Sequence, residues 1–238
     1  MLNNDFGFYS EQIKLWDKLA VSGDLIYPHE AVARFAATTK PPCVIDFGCA
    51  TGRHLLAFAN KGSKRLIGID INTSPLALTA LKFGVIDELS QFKQGKYLLN
   101  DGQLELYSNE GRNLGEILGS VQADAVLCWG VLHLYHKDLA LKLLIDFKSQ
   151  LKSGGEVFIN LRSDTDGLKN EAIKIGENIY KITRKSHENL TYSFYSLDDL
   201  NEIFSKSGLK ILSIDKEEFT QNNGKIFNSF WIVRAKKD

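Results

Sequence analysis

The chain has no excess of either charge: 29 Lys and Arg face 29 Asp and Glu in 238 residues, for a formal net charge of zero. No block of like charge stands out, so the sequence-independent attraction to phosphates that anchors nucleic-acid binding has no visible source. No nucleic acid is expected as a partner. The chain also lacks any apolar run near the roughly 20 residues a bilayer-crossing helix needs, and its N-terminus is polar and acidic where a secretory leader is basic and then apolar. A soluble, cytoplasmic protein with no membrane partner is expected. Cysteine is scarce and odd in number: Cys43, Cys49 and Cys128 lie in or beside predicted core strands or a glycine loop, without the paired spacing of a disulfide framework or metal site. They read as small buried apolar residues, and no metal is expected. Internal repeats and low-complexity segments are absent too. What remains, with 44% hydrophobic residues, suffices for one sizeable α/β domain.

The rest of the chain is organised around Val44, Ile45, Asp46, Phe47, Gly48, Cys49, Ala50, Thr51, Gly52, Arg53 and His54. An apolar strand ends in an acidic residue, then small residues turn the chain into a helix whose first N–H groups lack partners. This arrangement suits a polar cofactor at the carboxyl edge of a parallel sheet. The GxGxxG spelling of a dinucleotide loop is missing. The spelling is similar to the D-x-G-x-G-x-G loop of class I S-adenosylmethionine-dependent methyltransferases, which the chain resembles from about residue 40 to the end. Ala50 stands where that family has a glycine. The resemblance implies a Rossmann-like α/β fold: a seven-stranded, mostly parallel sheet with an antiparallel C-terminal hairpin and helices on both faces. Residues 1–238 would form a single methyltransferase domain, and S-adenosyl-L-methionine would be bound along Asp46, Gly48, Cys49, Ala50, Gly52 and Arg53.

Phe8, Tyr9, Ile13, Trp16 and Leu19 form a helical stripe, and Glu30 to Ala37 reads as a second helix. In this family such a prefix, here residues 1–40, usually caps the cofactor, with Tyr9 and Trp16 as the contacts. Packing of both aromatics onto the domain is the structural alternative. Arg65 to Ile71 is a second strand. Its Asp70 is placed to accept hydrogen bonds from both ribose hydroxyls of an adenosine cofactor, with Ile71 beside it. A helix is expected from Pro75 to about Leu89, capped by Thr73 or Ser74, followed by a polar connector over residues 91–102. After a strand at Gln103 to Tyr107, Glu110 and Gly111 match the family's adenine-binding pair in type and order, although a solvated loop glutamate fits as well.

Ala123 to Cys128 is a continuous apolar strand of the kind buried on both faces. Trp129 and Gly130 follow and, by resemblance, border the methionine part of the cofactor. The Asn/Asp-Pro-Pro-Tyr/Phe signature of amino-methylating DNA enzymes is absent. His133 is the catalytic candidate, a base for an acceptor hydroxyl, or else it bonds a neighbouring backbone group. Leu139 to Leu151 is an amphipathic helix, Lys152 to Gly155 a turn, and Glu156 to Leu161 a strand. The segment 162–193, read with a helix reaching Tyr180, would help form the acceptor pocket. Arg162 could clamp an acidic acceptor, or could pair with Asp164 or Asp166. A helix follows from Ser196 to Gly208, with a capping box to Asp199. Strands at Leu209 to Asp215 and Phe227 to Ala235 then make an antiparallel pair. That ending favours the methyltransferase class over an NAD(P)-dependent oxidoreductase, which would repeat βαβ units.

The reading that results is an S-adenosylmethionine-dependent methyltransferase acting on an oxygen or nitrogen of a small-molecule acceptor. A nicotinamide oxidoreductase and a methyltransferase-like protein that binds cofactor without catalysis remain as alternatives.

Overall fold

The protein is described by a computed structural model over residues 12–18, 21 and 26–238. Tyr9 lies outside the described residues. The chain divides after Leu127 into two compact units.

In the first unit, residues 12–18 are helical. Helix α1 (Glu30–Thr39) buries Val32, Phe35 and Ala36, and Phe35 meets Phe58 edge-on at 6.2 Å. Strand β1 (Cys43–Phe47) leads through the glycine loop into α2 (Arg53–Ala59), then β2 (Arg65–Asp70) and α3 (Thr73–Lys82). After these come β3 (Gly95–Leu99), β4 (Gly102–Ser108), α4 (Leu114–Leu118) and β5 (Ala123–Cys128). The strands lie in the order β5-β1-β2-β4-β3. β1 runs parallel to β2 and β5, and β2 parallel to β4. Val44, Ile45, Leu66, Ile67, Val126 and Leu127 are fully buried, which is why these strands read as unbroken apolar runs. At the start of the β1–β5 pair, the Cys43 N–H donates to Asp124 Oδ2 at 2.8 Å.

Two expectations change here. α3 ends at Lys82, before a left-handed Gly84 (φ 66°), and so does not reach Leu89. Its N-cap position is Asn72, one residue before Thr73, and Pro75 is the third helical residue. The polar connector contains β3, antiparallel to β4 at the sheet edge. This strand is added to the seven expected; it lies at the sheet edge and none of its residues, Tyr97, Leu98 and Leu99 included, is fully buried.

In the second unit, a short 3-10 turn (Leu132–Leu134) precedes α5 (Lys137–Gln150). The His136 ring nitrogen caps this helix by accepting the Leu139 N–H at 3.3 Å. β6 (Leu151–Arg162), β11 (Ile226–Lys236) and β10 (Lys210–Gln221) pair antiparallel in that order. The hairpin is present and longer than its apolar residues suggested. Residues 152–155, read as a turn, belong to β6, with a kink at Gly154 (φ 73°). The capping box of α6 (Leu197–Ser207) joins Ser196 and Asp199, as expected, and Gly208 ends the helix left-handed. On the approach to Tyr180 the only helical turn among the described residues is a 3-10 helix at Gly167–Glu171. In place of the expected helix, β7 (Ala172–Gly176), β8 (Ile179–Ile182) and β9 (Thr191–Tyr192) form a small antiparallel sheet. Ile173, Lys174 and Ile175 follow strand alternation, which wins over helix propensity once β8 offers a partner. The fold class is α/β and Rossmann-like, with a mostly parallel sheet and an antiparallel C-terminal hairpin.

Candidate functional site

The loop after β1 is built from left-handed residues at alternate positions: Gly48 (φ 77°), Ala50 (φ 46°) and Gly52 (φ 72°). Gly52 is obligatory on two counts. A Cβ there would sit 2.5 Å from Thr79 Cγ2, and the backbone is in the region L side chains avoid. Ala50 adopts the same region despite its methyl group, so the family's missing glycine does not abolish the turn. The loop is held from β2: the Gly48 and Cys49 N–H groups donate to the Ile69 carbonyl at 2.7 and 3.0 Å. Thr79 on α3 donates its hydroxyl to the Ala50 carbonyl at 2.9 Å.

Asp70 is the second anchor. Its Oδ2 accepts the Ala50 N–H at 2.9 Å and its Oδ1 the Asn72 N–H at 3.0 Å, so the carboxylate ties the two loops together and still has lone pairs for a diol. Desolvation, opposed by these backbone donors, raises its pKa to about 6. Asp46 is completely buried and neither carboxylate oxygen has a hydrogen-bond partner. Burial pushes its pKa up to about 8, with Arg53 opposing and Asp70 adding to the rise. An orphaned buried carboxyl in the loop fits a cationic group, and S-adenosylmethionine carries an ammonium. Arg53 also reaches the Tyr27 carbonyl at 3.2 Å. Cys49 is buried, with its thiol pushed up by burial and not poised for reaction.

Ile71 is half-buried and its carbonyl accepts the Ser108 hydroxyl at 3.1 Å. Glu110 and Gly111 are left-handed loop residues, and the Glu110 side chain is 62% exposed, 4.0 Å from Arg112. The residue before them points elsewhere: Asn109 is 2% exposed and its Oδ1 has no partner. Sequence reading passed over Asn109 because an amide in a polar loop carries no distinguishing pattern. The helix bearing Trp16 lies beside this anchor, since Asn72 Nδ2 donates to the Ile13 carbonyl at 3.2 Å. Trp16 is half-buried on it.

In the second unit, the Gly130 N–H donates to Asn160 Oδ1 at 2.6 Å, and Trp129 packs on Phe158 with ring centroids 5.5 Å apart. His133 is 5% exposed and hydrogen-bonds the Asn160 carbonyl. Burial, then the nearby Arg162 charge, holds its pKa well below the usual histidine range. It is a neutral imidazole at physiological pH, fixed by the backbone contact considered at the outset. Arg162 is paired with Asp166 at 2.7 Å in a buried ion pair, whereas the surface alternative would have been solvated. The guanidinium also lies over Tyr192 (5.2 Å) and Phe230 (4.7 Å).

Among the described residues no helix is long and apolar enough to cross a membrane. Residues 24–214 match the family described as a methyltransferase domain. The chain is 32% identical over 117 residues to a tRNA U34 carboxymethyltransferase of Campylobacter hominis, covering 49% of this chain and 35% of the relative. A namesake from Colwellia psychrerythraea is 30% identical over 139 residues, covering 58% and 37%. The chain thus spans little more than a third of the length of the curated relatives it matches. Among solved structures, an S-adenosylmethionine-dependent methyltransferase of Methanosarcina mazei superposes with a TM-score of 0.65 at 16% identity, over 89% of this chain and 99% of that one. The 1,6-didemethyltoxoflavin-N1-methyltransferase of Burkholderia thailandensis gives 0.63 at 18%, over 100% and 91%. These likenesses speak to the fold. The expectation of a small-molecule acceptor and no nucleic acid is overturned by the relatives named for tRNA U34. It failed because overall charge balance says nothing about local charge or about bases read by shape and stacking. The match over residues 24–214, with the loop and fold that accompany it, establishes that the chain belongs to the methyltransferase-domain family, as a class I S-adenosylmethionine-dependent methyltransferase.

Proposed function

We propose that this enzyme alkylates an oxygen or nitrogen of a base in tRNA. The donor is S-adenosylmethionine, which when bound supplies a methyl group on a sulfonium. The observation that carries the cofactor assignment is the braced loop: Asp70 holds Ala50 and Asn72 through their N–H groups and keeps acceptor capacity for the ribose diol. Asn109 Oδ1, buried and without a donor, is suited to the adenine amino group in place of Glu110, whose side chain faces solvent. Asp46, buried with both carboxylate oxygens unpartnered, would hold the methionine ammonium as its counter-charge. Trp129 and Gly130 are assigned to the methionine end on the family resemblance. The chain's own contribution is chiefly positioning and water exclusion. His133, neutral with one ring nitrogen committed to the Asn160 carbonyl, is poorly suited to store a proton and serves better as a fixed hydrogen-bond acceptor. The tRNA acceptor is supported by the curated relatives.

The test is incubation with S-adenosylmethionine labelled in its methyl group and unfractionated tRNA, then nuclease digestion and separation of nucleosides. Label in one modified nucleoside is the expected result. Turnover of the cofactor with no label in RNA overturns the acceptor assignment.

A further inference from the structure

Backbone N–H groups converge on the Asp70 carboxylate: those of Ala50 and Asn72 donate to it at 2.9 and 3.0 Å, and that of Ile71 faces it as well. An ionised carboxylate offers about four acceptor sites, so with these donors in place Asp70 has full capacity left for one more. The ribose of an adenosine cofactor presents two hydroxyls. One finds Asp70, and the other needs a second acceptor close by.

The helical segment 12–18 supplies it. This segment is held at the end of β2, where Asn72 Nδ2 donates to the Ile13 carbonyl at 3.2 Å while the Asn72 N–H donates to Asp70. In a helix the carbonyl of one residue points at the N–H of the residue four further on, here Asp17, so Asn72 meets the helix where Asp17 joins it. The two acids feel each other. Desolvation is the main cause of the raised Asp70 pKa, and the Asp17 carboxylate adds to it. Asp17 Oδ1 is buried without a hydrogen-bond partner, a costly state for a carboxylate oxygen unless a donor is brought to the residue. Neither residue is sealed off, since Asp17 and Asp70 both keep accessible surface.

We infer that Asp17 is a second ribose ligand of the cofactor site, with Asp70 accepting one hydroxyl of the diol and Asp17 the other. This inference rests on the assignment of Asp70 to the ribose. A hydroxyl dipole set against each carboxylate also offsets the repulsion between the two acids. Because Asp17 belongs to the N-terminal helical segment and Asp70 to β2, the diol joins the one to the other.

The experiment measures, by calorimetry, binding of S-adenosylhomocysteine and of its 2′-deoxy and 3′-deoxy analogues to the wild-type chain, Asp17→Ala and Asp17→Asn. Wild type should bind each deoxy analogue about tenfold or more weaker than the parent, the size of a hydrogen bond to a charged group. Asp17→Ala should weaken the parent about tenfold and abolish the penalty at one position only: one analogue then binds as well as the parent, and the other keeps its full penalty. Asp17→Asn retains an acceptor oxygen and should show a reduced penalty at that same position. A purely structural role for Asp17 gives another pattern, an equal loss for all three ligands with both penalties intact. That result overturns the inference and leaves Asp70 on the ribose. If the melting curve shows that Asp17→Ala does not fold, the near-isosteric Asp17→Asn decides by the same criterion: a penalty reduced at one position supports the contact, and undiminished penalties at both overturn it. Equal binding of the three ligands by wild type removes both Asp70 and Asp17 from the ribose. Absence of binding of all three overturns the cofactor site itself.

Discussion

Asp70 Oδ2 accepts the N–H of Ala50 at 2.9 Å, so the carboxylate at the end of β2 holds the loop that follows β1. The residue expected to grip the ribose thus also shapes the loop beneath the rest of the cofactor. Replacing it removes both contacts at once. Asp70→Ala should weaken S-adenosylhomocysteine binding by more than tenfold in calorimetry, while Asp70→Asn, which keeps one acceptor oxygen, should lose less. Equal affinity in wild type and Asp70→Ala would remove Asp70 from the site.

Asp46 gives the fold a defined pH response. Its pKa rises on folding from 3.8 to about 8, so between those values the folded state keeps a proton that the unfolded chain releases. The stability this contributes is fully present below about pH 4 and is lost as the pH rises through 8; Asp70, raised to about 6, adds a smaller loss of the same sign. Asp46→Asn cannot ionise, so its melting temperature relative to wild type should climb steadily from pH 5 to pH 8. A pH-independent difference would show that Asp46 ionises normally.

The space at Gly52 can be tested as a pair with Thr79. Gly52→Ala places a methyl against Thr79 Cγ2 and forces alanine into a left-handed conformation, a loss of about 2 kcal/mol. Thr79→Ser retains the hydroxyl that holds the Ala50 carbonyl and removes the clashing methyl. In the Gly52→Ala background it should recover about half of the lost stability, the remainder being backbone strain. Urea denaturation of the four proteins measures the coupling, and strictly additive effects would locate the cost entirely in the backbone.

What the sequence made legible was local. A strand, three small residues and a helix stand within twelve positions, so the loop around Gly48, Ala50 and Gly52 could be read before its geometry was known. Asp70 followed because it ends the next apolar run. The terminal hairpin showed as two apolar stretches around the polar residues 221–225. The features that escaped depend on distant partners. β9 has only two residues, Thr191 and Tyr192, and exists because β8 lies beside it. The pairing of Arg162 with Asp164 or Asp166 was legible as an alternative, but not that it is Asp166, buried, and also bound by the Ser229 N–H. Asn109 acquires meaning from burial alone, which no spacing encodes. The acceptor escaped for a different reason: charge totals average over the surface, whereas a base is read by a few groups in one place.

The alternating left-handed residues of the loop are fixed by contacts with Ile69, Asp70 and Thr79 of the protein itself. Conformational freedom that a slack loop would surrender on binding is here surrendered on folding, so the cofactor meets a mould and not a melt. Association should then proceed in one kinetic phase, its rate set by diffusion and desolvation and free of a slow ordering step.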